Sequence, residues 1–358
     1  MAKIIYAVAG EGFGHSSRAH LIGQRLIDSG HELIFVGSKK SLAYLREHFR
    51  QLVKPVFGFS FAYSQGGVDA FETVRHNLSR WAIANRINER LFRKYLEPFR
   101  PDLLITDFEP FCAWWAIRKQ IPFISIDHQH MLTLCRLRHR PEKWFERLLA
   151  SVVTESYYVA AAAYIIVNFF DAPLNIDAAV LAPPIVRNEV GNFKAEPGDY
   201  ILVYSTAGHD RDNLLSKLNR FRKRARFVVY GFNEDREKDN CILRKRSTQG
   251  FLRDLAGCRA VIASAGFSLI SECMYFRKKM LLLPLKGQYE QIVNSYYVEK
   301  LGLGLEARKI NRRSIRQFLQ EVEKPVPEDK SILWPDNERF FGILQEQLNK
   351  LPRPIRIE

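Results

Sequence analysis

The feature that most limits what this chain can become is an alternation of short apolar runs with longer amphipathic segments. "KIIYAVAG" leads into a helical stretch from Ser17 to Ser29, "HELIFVGS" follows, and then come "PDLLITDF", ending at Phe108, and "IPFISID", ending at Asp127. Apolar runs of this length read as buried strands, and helices between them force parallel pairing through crossover connections. An α/β sheet covered by helices on both faces satisfies that pattern. "YIIVNFF", from Tyr164 to Phe170, adds one more strand.

Pro183 and Pro184 in "LAPPIVRNEV" then exclude a helix and stiffen the chain, which suits a linker. Beyond it the alternation restarts with "YILVYSTAG", "RFVVYG", "AVIASAG" and "MLLLPL". With 358 residues, more than one hydrophobic core usually organises, two similar α/β domains are expected: 1–183 and 184–358. The last helix, "DNERFFGILQEQLNKL" at about 336–351, comes after the second sheet is finished and is expected to cross back to the first domain.

Directly after the first strand stands "GEGFGHSSRAH", residues 10–20, with glycine at every second position and then an imidazole. Three uses of a glycine-rich strand-to-helix turn differ in their demands. A Walker loop needs a lysine soon after its last glycine, whereas Gly14 is followed by His15. A dinucleotide fingerprint needs a third glycine where His15 stands and an acidic residue after the second strand, where "FVGSKK" offers Gly37, Ser38 and Lys39; a form that uses Ser38 and the two lysines for NADP stays open. A sugar or phosphosugar site uses glycines to let substrate approach the backbone at a helix N-terminus that favours negative charge. His15 would then sit where ligands of parallel sheets bind; the alternative is that it only caps the first helix.

A second signal lies in "SAGFSLISECMYFRKKMLLLPLKGQYEQIVNSYYVEKLGLG", residues 264–304. "AVIASAG" ends at Gly266, and the helix it launches carries Ser268 and Glu272 in its first turns. Free N–H groups there can hold a diphosphate, and Glu272 can accept hydrogen bonds from ribose hydroxyls. The loop "KGQYEQ" after the next strand supplies Gln288, Glu290 and Gln291, the mixture of donors and acceptors that sugar hydroxyls require.

Gly266, Glu272, Pro284, Glu290 with Gln291, and Asn294 together resemble the nucleotide-sugar signature of GT-B glycosyltransferases, especially the plant-type and lipid-II-forming N-acetylglucosaminyl transferases. The turn from Gly10 through Gly14 to His15 is similar to the start of that family's amino half, so the resemblance spans most of the chain. It implies two Rossmann-like domains whose parallel sheets face a central cleft. It also implies that Glu272 binds the ribose, Glu290 and Gln291 the donor sugar, the backbone of Gly266, Phe267 and Ser268 the diphosphate, and Phe251 the base. Where plant enzymes carry a histidine near the phosphates, this chain has Ser264, which would shift those contacts to the backbone or to Ser205 and Thr206. The nucleotide sugar, UDP-linked by this resemblance, is a substrate, and no cofactor is implied.

Glycosyl transfer needs a base for the acceptor hydroxyl, and histidine has a pKa near working pH. His15 is the candidate, with Asp107 or Glu109 of "ITDFEPF" as orienters of the ring. "SIDHQH" offers His128 or His130 to share or replace that role. Asp127, His128 and His130 also invite a metal reading, but further ligands at helical spacing and a DxD motif are lacking, so metal-independent inversion is expected and retention stays open.

The net charge of +15 implies attraction to a polyanion. In "RHNLSRWAIANRINERLFRKYLEPFR" Arg86, Arg90 and Arg93 recur at helical spacing among apolar residues, and a second basic-aromatic stretch is "CRLRHRPEKWFERLL". Both suit an anionic membrane surface and a lipid-linked or cell-envelope glycan acceptor, against the plainer reading of a solvated charged face. No nucleic-acid-binding motif stands out, so nucleic acid is not an expected partner. The apolar run after Lys3 is shorter than a signal peptide's core, no stretch reaches a bilayer span, and five scattered cysteines form no CxxC pair, so a cytoplasmic protein, peripheral to the membrane, is expected. Two rivals share the fold: a nucleotide-sugar epimerase or hydrolase, and a binding protein without catalysis.

Overall fold

The computed structural model describes residues 1–60, 62–64, 67–138, 140–158, 160–196, 198–205 and 210–351. Thr206 lies outside these. The chain forms two compact units, one made of Met1–Tyr63, Asp69–Ile185 and Asp336–Glu358, the other of Ser64–Val68 and Val186–Pro335.

In chain order the first unit contains β1 (Lys3–Val8), α1 (Phe13–Asp28), β2 (Glu32–Gly37), α2 (Lys39–Phe49) and β3 (Val53–Pro55). A short ribbon, β4 (Ala62–Ser64) with β5 (Gly67–Asp69), precedes the long α3 (Ala70–Tyr95). Then follow β6 (Leu103–Asp107), α4 (Pro110–Arg118), β7 (Phe123–Asp127), α5 (Met131–Leu134), α6 (Trp144–Tyr157), β8 (Ala163–Val167) and β9 (Ala179–Ala182). The seven-stranded sheet has the order β3-β2-β1-β6-β7-β8-β9, every pair parallel. Ile4, Ile5, Ala7 and Val8 of β1 have no exposed surface, as expected of a strand roofed on both faces.

The second unit repeats the plan with β10 (Tyr200–Tyr204), α7 (Arg211–Asn219), β11 (Arg226–Tyr230), β12 (Arg236–Lys238), β13 (Cys241–Arg244), α8 (Thr248–Ala256), β14 (Ala260–Ala263), α9 (Phe267–Tyr275), β15 (Lys279–Leu282), α10 (Tyr289–Lys300), β16 (Gly304–Glu306) and α11 (Arg312–Glu321). Its sheet runs β12-β13-β11-β10-β14-β15-β16, parallel except for the edge strand β12. Ile201, Val203, Phe227 and Ile262 from the strands pack with Leu214, Leu218 and Phe318 from the helices.

The final helix, α12 (Asn337–Lys350), belongs to the first unit. The Asp336 N–H donates to the Pro184 carbonyl at 3.0 Å, and the Asp336 carboxylate caps the helix at the Arg339 N–H. Phe340 and Leu344 are buried, and the Arg25 guanidinium lies 5.1 Å from the centre of the Phe341 ring. Pro184 is thus tied to the first unit, and the chain passes to the second after Ile185 instead of after Pro183. The first helix also begins earlier than its apolar period indicates, at Phe13, because Gly12 adopts φ 86° at its N-cap and starts the helix at once.

Candidate active site

Both sheets wind outward from their first strand, so each has one place where the connections diverge and loops leave a gap for ligand. In the first unit that place lies between β1 and β6, where Val8 is in register with Asp107 and the Ala9 N–H donates to the Asp107 carbonyl at 2.9 Å. Gly10 is required by packing, since a Cβ there would fall 2.1 Å from Ser38 Oγ. With Gly12 turning the chain, α1 starts immediately beyond β1 and places His15 in its first turn.

There His15 Nδ1 lies 2.6 Å from Asp107 Oδ1, and Asp107 is fully buried. Arg18, one turn along α1, donates Nε to Asp107 Oδ2 at 2.7 Å and Nη2 to Oδ1 at 2.6 Å. Burial opposes the charge on Arg18, but the Asp107 carboxylate outweighs it and holds the guanidinium above its ordinary pKa. A carboxylate against Nδ1 assigns the proton of the neutral ring to that nitrogen, which leaves the Nε2 lone pair as the basic site. His15 therefore does more than begin a helix.

Of the two carboxylates proposed to orient His15, the structure selects Asp107 and redirects Glu109. Phe108, between them, takes φ 56°, a left-handed conformation that a bulky residue rarely adopts, and its ring stacks on Tyr157 at 4.5 Å. The bend turns Glu109 into the N-cap of α4, where its oxygens accept the N–H groups of Phe111 at 3.2 Å and Cys112 at 2.7 Å. Burial raises the Glu109 pKa against the effect of those hydrogen bonds. Its carboxylate is spent on the helix.

His128 and His130 follow β7, the next strand of the sheet. The His128 ring is buried, with Nδ1 donating to the Val167 carbonyl at 2.8 Å, so it ties the β7 loop to β8. His130 Nδ1 is 2.7 Å from Asp127 Oδ2, and the His130 N–H donates to Oδ1 at 2.8 Å. Burial would raise the Asp127 pKa, but His130 and the Ser125 hydroxyl hold it well below the usual carboxylate range. The two imidazoles turn to different partners, and among the described residues no group of three or more His, Cys, Asp and Glu is arranged to hold a metal ion.

In the second unit the corresponding place lies between β10 and β14. Ser205 directly follows β10 and its N–H donates to the Tyr230 carbonyl at 2.9 Å, while Ser264 and Ala265 lead from β14 to Gly266, the N-cap of α9. Gly266 has φ −72°, which any residue accepts, and a Cβ would meet nothing within 4 Å. Neither backbone nor packing demands glycine here, and the open space lies at a helix N-terminus beside Phe267 and Ser268. Phe251 of α8 packs edge-on against Tyr204 and Tyr230, at 5.4 and 5.2 Å.

The remaining donor-side residues divide by role. Glu272 is buried in α9 and accepts Arg187 Nε at 2.8 Å; burial raises its pKa and Arg187 pulls it back. Gln291, expected from its motif position to meet the donor sugar, bonds within the protein. Its Oε1 accepts the N–H groups of Ala265 at 3.2 Å and Leu285 at 3.0 Å, and its Nε2 donates to Gln288 at the N-cap of α10. The fully buried Asn294 donates to the Ala265 carbonyl at 3.1 Å, so both amides brace the loop that leads to Gly266. Glu290, half-buried in the first turn of α10, stands beside this brace.

With this geometry in hand, comparison with known proteins is decisive: the family model described as glycosyl transferase family 1 matches residues 2–323. The chain belongs to that family. An uncharacterized glycosyltransferase from Methanosarcina acetivorans is 22% identical over 363 residues, covering 92% of this chain and 91% of that protein. The glycotransferase of kitacinnamycin has a similar structure, with a TM-score of 0.64 at 15% identity, over 97% of this chain and 95% of the other. Arabidopsis thaliana UGT89C1, solved in complex with UDP, gives 0.59 at 14% identity, over 97% and 100%. The family 1 chain is a glycosyltransferase with the GT-B fold, two mostly parallel seven-stranded sheets with their helices.

Sequence reading missed two residues of this glycosyltransferase that bond to candidate residues, one in each unit. Arg18 stands three positions after His15 on the same helical face, a spacing that places a cation beside the imidazole. Arg187 carries no such signal, since its partner Glu272 is 85 positions away.

Proposed function

We propose that this chain moves a sugar from a UDP-linked donor to an acceptor hydroxyl by single displacement with inversion, without a metal or other cofactor. His15 Nε2 takes the acceptor proton, the acceptor oxygen bonds to the sugar's anomeric carbon, and the bond from that carbon to the diphosphate oxygen breaks. Asp107 fixes the ring and offsets the positive charge it gains, and Arg18 holds the Asp107 carboxylate in place through two hydrogen bonds. The leaving diphosphate is met by N–H groups at the start of α9 and by its helix dipole, with Glu272 on the ribose and Glu290 near the sugar. The complex of UGT89C1 with UDP supports the choice of nucleotide.

The observation that carries the reading is the 2.6 Å contact of His15 with a fully buried carboxylate at the point where the strand order diverges. The acceptor we favour is lipid-linked or a cell-envelope glycan, met at the inner face of the membrane. The exposed arginines of α3 support this. Thermal-shift measurements against UDP, GDP, dTDP and NADP test the donor, and UDP should give the largest shift. Stabilisation by NADP alone, or release of free sugar at an undiminished rate without any acceptor, overturns the transfer reading.

A further inference from the structure

A helix on the surface of a water-soluble unit normally turns its apolar stripe inward. α6 does the opposite. Trp144 is 65% exposed, Phe145 58%, Leu148 53% and Val152 54%, and the helix has one buried residue, Thr154. Trp144, Leu148 and Val152 follow one another at four-residue steps, with Phe145 one step around, so the four cover an arc of about 100°. At the carboxyl end of the helix the Tyr157 ring stacks on Phe108 at 4.5 Å and lies 5.4 Å from Phe59.

Charge accompanies this stripe. Arg147 is exposed on the flank of α6. α3 reaches the same aromatic cluster through Trp81, 5.9 Å from Phe59, and farther along, on the side of the helix away from Trp81, it exposes Arg86, Arg90 and Arg93 as a source of longer-range attraction. Within the described residues none of these four arginines makes an ion pair. A protein partner would need a matching apolar groove ringed by acids, whereas an anionic bilayer offers both parts at once: hydrocarbon beneath the headgroups and phosphate at their level. Tryptophan at the end of an exposed apolar stripe, with Arg147 on its flank, matches helices that lie in that boundary.

We propose that the outer face of α6 docks this protein onto an anionic phospholipid surface, with Trp144, Phe145, Leu148 and Val152 entering the headgroup boundary and the α3 arginines drawing the unit to it. The inference rests on the proposed function for what the membrane supplies, an acceptor, and not for the docking itself.

The full-length chain is mixed with vesicles of phosphatidylcholine alone or of phosphatidylcholine with phosphatidylglycerol, and the bound fraction is read by sedimentation. Binding to the anionic vesicles and little to the neutral ones is expected. The variant W144S/L148S/V152S should lose at least tenfold in partitioning. R86Q/R90Q/R93Q should lose about fivefold for each arginine removed, an effect that salt abolishes in the unaltered chain. All these side chains are exposed, so both variants should unfold at the unaltered temperature and keep the thermal shift with UDP. Equal partitioning to both vesicles, or unchanged binding of the serine variant, overturns the proposal. So does a chain that ignores vesicles but forms a dimer that the serine variant dissociates, because the stripe is then a contact between copies. A lost UDP response with intact vesicle binding removes the transfer reading and leaves the docking face standing.

Discussion

The two places where the sheets of this glycosyltransferase diverge are built from the same topology and spend their side chains differently. After β1 and β6, side chains hold one another: His15, Asp107 and Arg18 form a compact charged group and Gly10 and Gly12 only shape the turn. After β14 and β15, Gln291 and Asn294 grip the backbone of Ala265, and what stays open is the main chain at Gly266. The first arrangement suits proton transfer, which needs an oriented ring. The second suits a polyanion, which needs N–H groups held rigid before it arrives.

The comparison breaks most readily at His15. His15→Ala should lower kcat by a factor on the order of 10² to 10⁴ while the thermal shift with UDP is retained. Asp107→Asn should cost nearly as much, because an amide can turn its oxygen or its nitrogen to Nδ1 and no longer fixes the tautomer. If His15→Ala abolishes the UDP shift but spares turnover at saturating donor, the two regions have been assigned the wrong way round.

On the donor side the expected effects are smaller and fall on binding. Glu272→Ala removes charge-assisted hydrogen bonds, each about 1.5–3 kcal/mol, and should raise the donor KM by about ten- to a hundredfold with kcat nearly kept. Asn294→Ala leaves the Ala265 carbonyl buried without its partner, so it should lower the unfolding temperature and weaken donor binding together, at about 1–3 kcal/mol. Gly266→Ala sharpens the contrast. The new methyl has room and the backbone angle is ordinary, so stability should hold while donor affinity falls; unchanged affinity would show that no ligand approaches this turn.

These contrasts also show what the amino-acid sequence reveals and what it hides. The strands that were readable are apolar on both faces, whereas the exposed edge strand Arg236–Lys238 carries no such signal. The place of His15, at the start of the first helix after a glycine turn, was legible. The division of labour between Asp107 and Glu109 was not, since two acids separated by a single residue are equivalent on paper until Phe108 takes a left-handed bend between them. The bracing role of Gln291 was hidden for a related reason: a motif position records that an amide is needed, not which backbone groups it also holds. Arg187 was invisible, because a contact across 85 positions leaves no spacing to detect.

Arg187 supports the smallest effect and the most specific one. Burial raises the Glu272 pKa and Arg187 opposes the rise, so the arginine keeps the carboxylate ionised and turns one oxygen to itself. An acid with a raised pKa in the folded protein takes up its proton early as pH falls, and a protonated Glu272 loses an acceptor for ribose. Donor KM should therefore begin to climb on acidification at a higher pH than an ordinary glutamate would give. Arg187→Met removes the opposing charge and should move that onset higher still, with kcat at saturating donor unchanged. Arg187→Lys should restore part of the shift, since a point charge replaces the cation without the same geometry. Glu272→Gln, which cannot titrate, should abolish the pH dependence in either background. Superimposable pH profiles of KM for the unaltered chain and Arg187→Met would mean that the ion pair only fastens Val186 and its neighbours to α9, and the donor region would then act through its backbone alone.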